Sequence, residues 1–238
     1  MIIAWNFLNK VTHPTDARFS RYALVVAPGM TVKSRLQVLH PAHEKNYYEE
    51  FNIVPAALMD KLRQGKVVIH NWHALAWDTQ EKIDAKAAKG QLRSVDKRRR
   101  MEISGEAYAR QVLGEMSNAR NIIVLNDEAH HAWRMNPEAA GKYKRTGSDK
   151  DSAEEATIWV GGLDKIHKQR GILRCFDLSA TPFSPSGKKT AEEALFTWIV
   201  SDFGLNDAIE SGLVKTPRVV IRDDGEKTKE LKSRLYHI

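Results

Sequence analysis

The strongest constraint on the fold is a short apolar run that ends in two acids. Four of the five residues from Ile122 to Asn126 are apolar, and Asp127 and Glu128 follow at once. An apolar run of this length predicts a strand that is buried on both faces, as is typical of parallel sheets. Open α/β sheets bind their ligands at the carboxyl ends of such strands. The two carboxylates are therefore predicted at a binding edge.

Adjacent carboxylates at a strand end suit the chemistry of phosphate transfer. Asp127 can hold a divalent cation, directly or through water, while Glu128 can polarise a water molecule for attack on a phosphate. The same acids are also compatible with an ordinary acidic corner between a strand and a loop, because short motifs often occur without a function. The rest of the chain has to distinguish these two interpretations.

Three further apolar runs show the same arrangement, since each is followed by small or polar residues. These runs are Tyr22–Ala27 before Pro28 and Gly29, Val67–Ile69 before the loop from His70 to Leu75, and Ile172–Leu178 before Ser179, Ala180 and Thr181. Apolar residues at helical spacing predict helices that carry Ile3, Phe7 and Val11, then Val32, Leu36 and Leu39, and later Val112, Leu113 and Met116. Strands that alternate with helices indicate an α/β fold with a mainly parallel sheet.

The helix after the first strand carries two basic residues. Thr31 can cap its amino terminus, and Lys33 and Arg35 lie off its apolar face. Free amide groups and basic side chains at a helix amino terminus suit a backbone phosphate of DNA. A solvated basic helix face is an equally good interpretation of the same residues.

Composition and charge narrow the class of protein. An apolar content of 42% in 238 residues is enough for one large domain. The net charge of +7 and a pI near 9.4 favour a polyanionic partner. The single cysteine, Cys175, excludes an internal disulfide, and its apolar surroundings predict a buried core residue. Without a membrane-spanning run or a recognisable signal peptide, we expect a soluble, cytoplasmic protein.

Two polar segments interrupt the pattern of strands and helices. Residues 79–106 predict an exposed helical insertion, whose basic run Lys97–Arg100 either contacts nucleic acid or is simply a solvated face. Residues 134–156 predict a mobile surface loop, and a helix is expected from Thr157 to Gly171. Towards the carboxyl terminus, Ala191–Ile199 is expected to be helical.

In this order, the motifs resemble those of the first RecA-like domain of a superfamily 2 helicase or translocase of the DEAD/DEAH type. DEAH, from Asp127 to His130, resembles motif II, and SAT, from Ser179 to Thr181, resembles motif III. APG, from Ala27 to Gly29, resembles motif Ia. HNWHAL, which includes Asn71, resembles the loop that lies near the nucleic acid.

Within this superfamily the chain is similar to the ATPase (Res) subunit of type III restriction enzymes. The similarity is carried by VVAPGMTVKSRLQVL, NDEAHHAW, FDLSATPF and FTWIVSDFGLNDAIESGLVKTPRV. It implies a three-layer RecA-like domain of the P-loop NTPase type that uses ATP and Mg²⁺ and acts on double-stranded DNA. A DNA methyltransferase subunit is a further partner that the resemblance implies.

The resemblance also implies roles for individual residues. Asp127 would bind the metal, Glu128 would be the catalytic base, and His130 would link the ATP site to motif III. Ser179, Ala180 and Thr181 would couple hydrolysis to DNA movement. The nucleic-acid contacts would come from Pro28, Gly29, Thr31, Lys33, Arg35 and Asn71.

The sequence departs from the family in its phosphate-binding parts. It contains no Gly-x-x-x-x-Gly-Lys-Ser/Thr, the loop that cradles the phosphates of the nucleotide. Residues 1–215 are expected to form the first RecA-like domain without its P-loop strand, and residues 216–238 a connection towards a missing second domain. We therefore expect a fragment of a longer motor, from a truncated, split or degraded gene, that does not hydrolyse ATP alone.

Two other functions are compatible with the same residues. The chain can be a catalytically inactive DNA-binding or complex-assembly module that is derived from a helicase. A metal-dependent nuclease site is the second alternative, because Asp223, Asp224, Glu230 and Lys232 weakly resemble a nuclease motif. A solvated, charged tail explains those four residues more simply.

Overall fold

The computed structural model describes residues 1–77, 105–133, 147–181, 183–185, 193–196 and 198–215. By its contacts the chain divides into two compact units, Met1–Phe196 and Thr197–Ile238. The basic run Lys97–Arg100 and the nuclease-like residues Asp223, Asp224, Glu230 and Lys232 lie outside the described residues, as do most of 79–106 and the part of 134–156 before residue 147.

The first unit is built on a sheet of four parallel strands. They are β1 (Tyr22–Ala27), β2 (Lys66–Asn71), β3 (Ile122–Asp127) and β4 (Ile172–Leu178). Their order across the sheet is β2-β1-β3-β4, and every neighbouring pair is parallel. The predicted α/β class and parallel sheet are therefore confirmed, and each strand covers one of the four predicted runs.

Helices accompany the strands along the chain. They are α1 (Ile2–Thr12), α2 (Met30–Arg35), α3 (Tyr47–Glu50), α4 (Met59–Leu62), α5 (Gly105–Leu113) and α6 (Gly147–Arg170) in the first unit, and α7 (Leu205–Glu210) in the second. Short 3₁₀ turns follow α2 at Leu36–Leu39, β2 at Trp72–Leu75, α5 at Gly114–Met116 and β3 at Ala129–His131. None of the helices in the described part of the chain combines the length and apolar character needed to span a bilayer.

Apolar side chains pack on both faces of the sheet. Alternate residues of a strand point to opposite faces, so Ala23 and Val25 join a core with α1, α3 and α4, while Leu24 and Val26 join a core with α5 and α6. Helices thus cover the sheet on two sides, as a three-layer arrangement requires. The helices predicted at the amino terminus and before β3 are confirmed as α1 and α5, which pack into these two cores.

Helix α6 is longer than predicted. The expected loop of residues 134–156 is wrong from Gly147 onwards, because α6 begins there and runs to Arg170. Alanine and glutamate in DSAEEA are strong helix formers, and they outweigh the lack of apolar periodicity. The glycine pair within α6 serves close packing, since a Cβ on Gly161 would collide with the ring of Trp77, and one on Gly162 would lie 2.7 Å from Cβ of Leu75.

Three other local predictions are wrong. Part of the helix expected over Ala191–Ile199 is a strand, because β6 (Glu193–Leu195) pairs antiparallel with β5 (Phe183–Pro185). The amino-terminal cap of α2 is Gly29 rather than Thr31. Cys175 is exposed rather than buried, because β4 lies at the edge of the four-stranded sheet.

Candidate active site

The strand order creates a crevice at the carboxyl edge of the sheet. The chain moves from β1 to β2 on one side, then crosses β1 to reach β3 on the other side. In open α/β sheets, ligands bind at the point where the direction of connection reverses. Pro28 and Gly29 follow β1 at this point, and Asp127 and Glu128 end β3 beside it. The topology therefore places the predicted acids at a binding edge.

Asp127 occupies a partly buried position at the end of β3. Its Oδ1 accepts the backbone N–H of Glu128 at 3.1 Å. Burial raises the pKa of the Asp127 carboxyl, the charge of Glu128 raises it further, and the backbone hydrogen bond opposes both effects. Compared with an exposed aspartate, Asp127 is therefore less strongly biased towards the ionised form.

Glu128 adopts an unusual backbone conformation. Its φ of 52° and ψ of 48° lie in the left-handed region, which costs a residue with a Cβ about 1–2 kcal/mol. Such strain is frequent at functional sites, where the surrounding structure holds it in place. The turn at Glu128 ends β3 and leads directly into the 3₁₀ turn that carries His130.

His130 joins the two predicted motifs. Its Nδ1 lies 2.9 Å from Oγ of Ser179 and 3.5 Å from Oε2 of Glu128. Oγ of Ser179 also accepts the backbone N–H of Thr181 at 3.0 Å. Either imidazole tautomer completes the first bond, since a protonated Nδ1 donates to the hydroxyl and an unprotonated Nδ1 accepts from it. Ala180 lies in the exposed bend between the two hydroxyl residues.

The carboxyl ends of β3 and β4 form one corner of the site, and helix α6 contacts this corner at two points. Oε2 of Glu155 lies 3.5 Å from Nδ1 of His131. One turn further along, Nε1 of Trp159 donates to Oδ1 of Asn126 at 3.0 Å, and Nδ2 of Asn126 donates to Oδ1 of Asp177 at 2.7 Å. Sequence reasoning missed these residues, although Asn126 is the one polar residue within an otherwise apolar run.

The predicted nucleic-acid residues gather at the carboxyl ends of β1 and β2. Thr31 and Arg35 are exposed on α2, and Lys33 is partly buried there. Asn71 ends β2, and its Nδ2 donates to Sδ of Met30 at 3.3 Å. Together with Pro28 and Gly29, they form one surface beside α2. The structure thus places this group on α2 and at the ends of β1, which pairs with β3, and of β2, which lies on the other side of β1.

The histidines near the carboxyl end of β2, His70 within the strand and His73 in the turn after it, have structural contacts. Nε2 of His70 lies 2.6 Å from the carbonyl oxygen of Val112, and burial lowers the pKa of His70, which favours a neutral ring that donates through Nε2. The ring of His73 stacks on Trp72 with centroids 3.7 Å apart. Within the described residues, no three His, Cys, Asp or Glu side chains come close enough together to hold a metal ion.

No protein family model, curated protein or solved structure matches the chain. Function must therefore be inferred from the chemistry of the corner formed by β3, β4 and α6.

Proposed function

We propose that the chain carries the carboxylate and coupling elements of an ATP-dependent DNA helicase or translocase of a restriction enzyme, built on a RecA-like domain. The proposal is carried by the 2.9 Å contact between Nδ1 of His130 and Oγ of Ser179, which joins motifs 49 residues apart. These motifs lie at the carboxyl ends of neighbouring parallel strands. A strand-to-loop corner that is acidic by chance does not require this bond to the next strand.

The two carboxylates suit a magnesium ion that is held jointly with phosphates. Mg²⁺ keeps several of its waters and is usually bound by one or two carboxylates together with substrate phosphates. Asp127 would hold the ion, because its carboxylate ends β3 in a partly buried position and the carboxylate of Glu128 follows it directly. When bound, the ion neutralises charge on the phosphates of ATP.

Glu128 is suited to act on water. Its side chain is 43% exposed, so it can reach a water molecule that is placed in line with the terminal phosphate. Glu128 takes the proton as the water oxygen bonds to phosphorus, and the bond to the leaving ADP oxygen breaks. His130 contacts both Glu128 and Ser179, so a change at the carboxylate is passed to the SAT segment.

The phosphate-cradling loop must come from another polypeptide segment. The sequence contains no Gly-x-x-x-x-Gly-Lys-Ser/Thr, and phosphoryl transfer depends on positioning and charge neutralisation by that loop. The proposed reaction also uses an arginine finger, which a second RecA-like domain would supply. We expect the chain alone to show no ATP turnover.

The first experiment supplies a phosphate-cradling segment. The genomic DNA around the coding region is read for a Gly-rich Lys-Ser/Thr sequence in any frame, and its product is combined with this chain. Glu128→Gln should then retain nucleotide binding but lose turnover by about 10²-fold or more, because an amide of the same shape cannot act as a base. Glu50→Gln, at an exposed residue of α3, is the matched control. Normal turnover by Glu128→Gln would contradict the assignment.

A DNA-binding module without catalysis is the second candidate, favoured by the net charge of +7 in a chain without a P-loop. Filter binding at several salt concentrations measures the number of phosphate contacts. Lys33→Ala and Arg35→Ala should each reduce the salt slope by about 1, while Lys61→Ala on α4 should not. Salt-sensitive binding without turnover, even beside the P-loop polypeptide, would favour the module.

A further inference from the structure

Three side chains are connected by hydrogen bonds from α6 through β3 to β4. Trp159 donates from its indole to Oδ1 of Asn126 at 3.0 Å, and Nδ2 of Asn126 donates to Oδ1 of Asp177 at 2.7 Å. Asn126 immediately precedes Asp127, and Asp177 lies two residues before Ser179. The three residues therefore lie directly behind the catalytic and coupling residues without being among them.

The hydrogen-bonding groups of these side chains allow one arrangement only. An indole N–H can only donate, so the carbonyl oxygen of the Asn126 side chain must face Trp159. The amide nitrogen of Asn126 then faces Asp177, whose carboxyl oxygen accepts from it. The orientation of the Asn126 amide is thus determined by its partners on both sides.

A buried amide at this position needs a reason other than packing. Asn126 and Trp159 are 3% and 0% exposed, and their neighbours in the core include Val26 and Val124. A polar group in such surroundings destabilises the fold unless it is hydrogen-bonded. An apolar residue would fill the same space without requiring partners. The amide therefore contributes a specific connection between α6 and β4.

β4 needs such a connection at its carboxyl end. Cys175, Asp177 and Leu178 are exposed there, and of this part of the strand Phe176 alone packs against the core, so apolar burial contributes little to holding it against β3. The hydrogen bond from Asn126 lies opposite Asp177 in the strand register. Along the chain, Asp177 lies two residues before Ser179, which contacts His130.

We infer that Asn126 is a positioning residue: through Trp159 and Asp177 it holds the end of β4 so that Ser179 meets His130. Helix α6 supports the same corner through Glu155 and His131, whose side chains lie 3.5 Å apart. The role of this connection in coupling rests on the proposed function. The geometry of the connection is tested without nucleotide or DNA, so this inference and the proposed function can fail separately.

The experiment observes His130 directly. Long-range ¹H–¹⁵N spectra of the ¹⁵N-labelled chain report the hydrogen bonds and tautomers of its nine histidines, and the His130→Gln spectrum assigns the signal of His130. Asn126→Asp places two carboxylates against each other, so Nδ1 of His130 should lose its hydrogen-bonded chemical shift. Asn126→Asp combined with Asp177→Asn should restore the wild-type signal, because the introduced carboxylate can accept from both the indole and the introduced amide.

A matched control separates positioning from general loss of stability. Ile166→Val weakens the same core without altering the three side chains, and it should leave the His130 signal unchanged. The inference is overturned if folded Asn126→Asp keeps the wild-type signal, if Ile166→Val changes it equally, or if the double variant fails to restore it. Should Asn126→Asp unfold the chain, recovery of fold and signal in the double variant supports the inference, and failure to recover overturns it.

Discussion

The neighbouring strands β3 and β4 are held in the sheet in different ways. Five of the six residues of β3 are buried, whereas none of the seven residues of β4 is buried. β3 is therefore held by apolar contacts on both faces. β4 is held by its pairing with β3, by the partly buried side chains of Ile172, Leu173 and Phe176, and by polar contacts near its two ends. These polar contacts join Arg170 to Glu106 and Asp177 to Asn126.

The two motifs therefore follow strands that differ in how easily they are displaced from the sheet. The acids Asp127 and Glu128 follow a strand whose release requires opening both cores. Ser179 follows a strand at the sheet edge, where each hydrogen bond contributes only about 0.5–1.5 kcal/mol. Segments that move during function are drawn from the less stable parts of a fold. A rigid β3 and a more easily displaced β4 suit a reaction whose progress is passed from one strand to the other.

The largest effect is expected from truncating paired residues of the two strands. Ile123 and Arg174 are register partners, and Ile123 is 0% exposed whereas Arg174 is exposed. Ile123→Ala should lower the free energy of unfolding by about 2–5 kcal/mol, and Arg174→Ala should change it by about 0.5 kcal/mol or less. Urea unfolding measures both. Equal losses would show that β4 is held as tightly as β3.

A smaller effect is expected where the strands are connected to α6. Trp159→Phe keeps an aromatic ring in the core but leaves Oδ1 of Asn126 buried without its donor and removes part of the packed volume. The lost hydrogen bond should cost about 1–3 kcal/mol, and the lost packing adds to it. Trp5 is 64% exposed, so Trp5→Phe should change the free energy of unfolding by about 0.5 kcal/mol or less. If the two variants lose the same stability in urea, the indole hydrogen bond makes no specific contribution.

The sequence predicts β3 better than β4 for a physical reason. An apolar run reports that a segment prefers burial, and in the middle of the sheet that preference is satisfied. ILRCFDL is similarly apolar, but its place at the edge depends on the order of strands, which no local pattern encodes. The same limit explains Cys175, which was predicted to be buried and is exposed.

Local sequence patterns also predict only part of the candidate site. Asp127, Glu128 and the SAT segment could be found because strand ends carry local signals. The partners of Asn126 lie 33 and 51 residues away along the chain, so its role depends on long-range packing. A single polar residue in an apolar run was the only local sign of that role.

The backbone at the end of β3 gives the next prediction. Glycine adopts the left-handed region without strain, so Glu128→Gly should raise the free energy of unfolding by about 1 kcal/mol. Asn121, at the start of β3, also has a positive φ of 55°, but asparagine tolerates this region. Asn121→Gly should therefore gain only about a few tenths of a kcal/mol. A loss of stability in Glu128→Gly would show that contacts of its side chain outweigh the backbone strain.

The smallest effect concerns the amino end of β4, where pH should act. Arg170 is buried just before β4, and its guanidinium donates to both carboxylate oxygens of Glu106 at 2.6 and 2.7 Å. The hydrogen bonds from Arg170 and, to a smaller extent, from Arg110 lower the pKa of Glu106 from 4.5 to about 2. Because the folded state holds the ionised form, this stabilisation is complete above pH 4.5 and is lost as the pH falls towards about 2.

Urea unfolding between pH 2 and 6 tests this anchor in wild type and Glu106→Gln. The wild type should lose stability towards low pH more steeply than the variant, because glutamine does not titrate. The effect should be small, since the side chain of Glu106 is 42% exposed and solvent weakens such pairs. Glu50→Gln, at an exposed residue of α3, should keep the steeper wild-type profile. If Glu106→Gln also keeps it, the ionised pair does not anchor β4, and pairing with β3 holds the amino end of this strand.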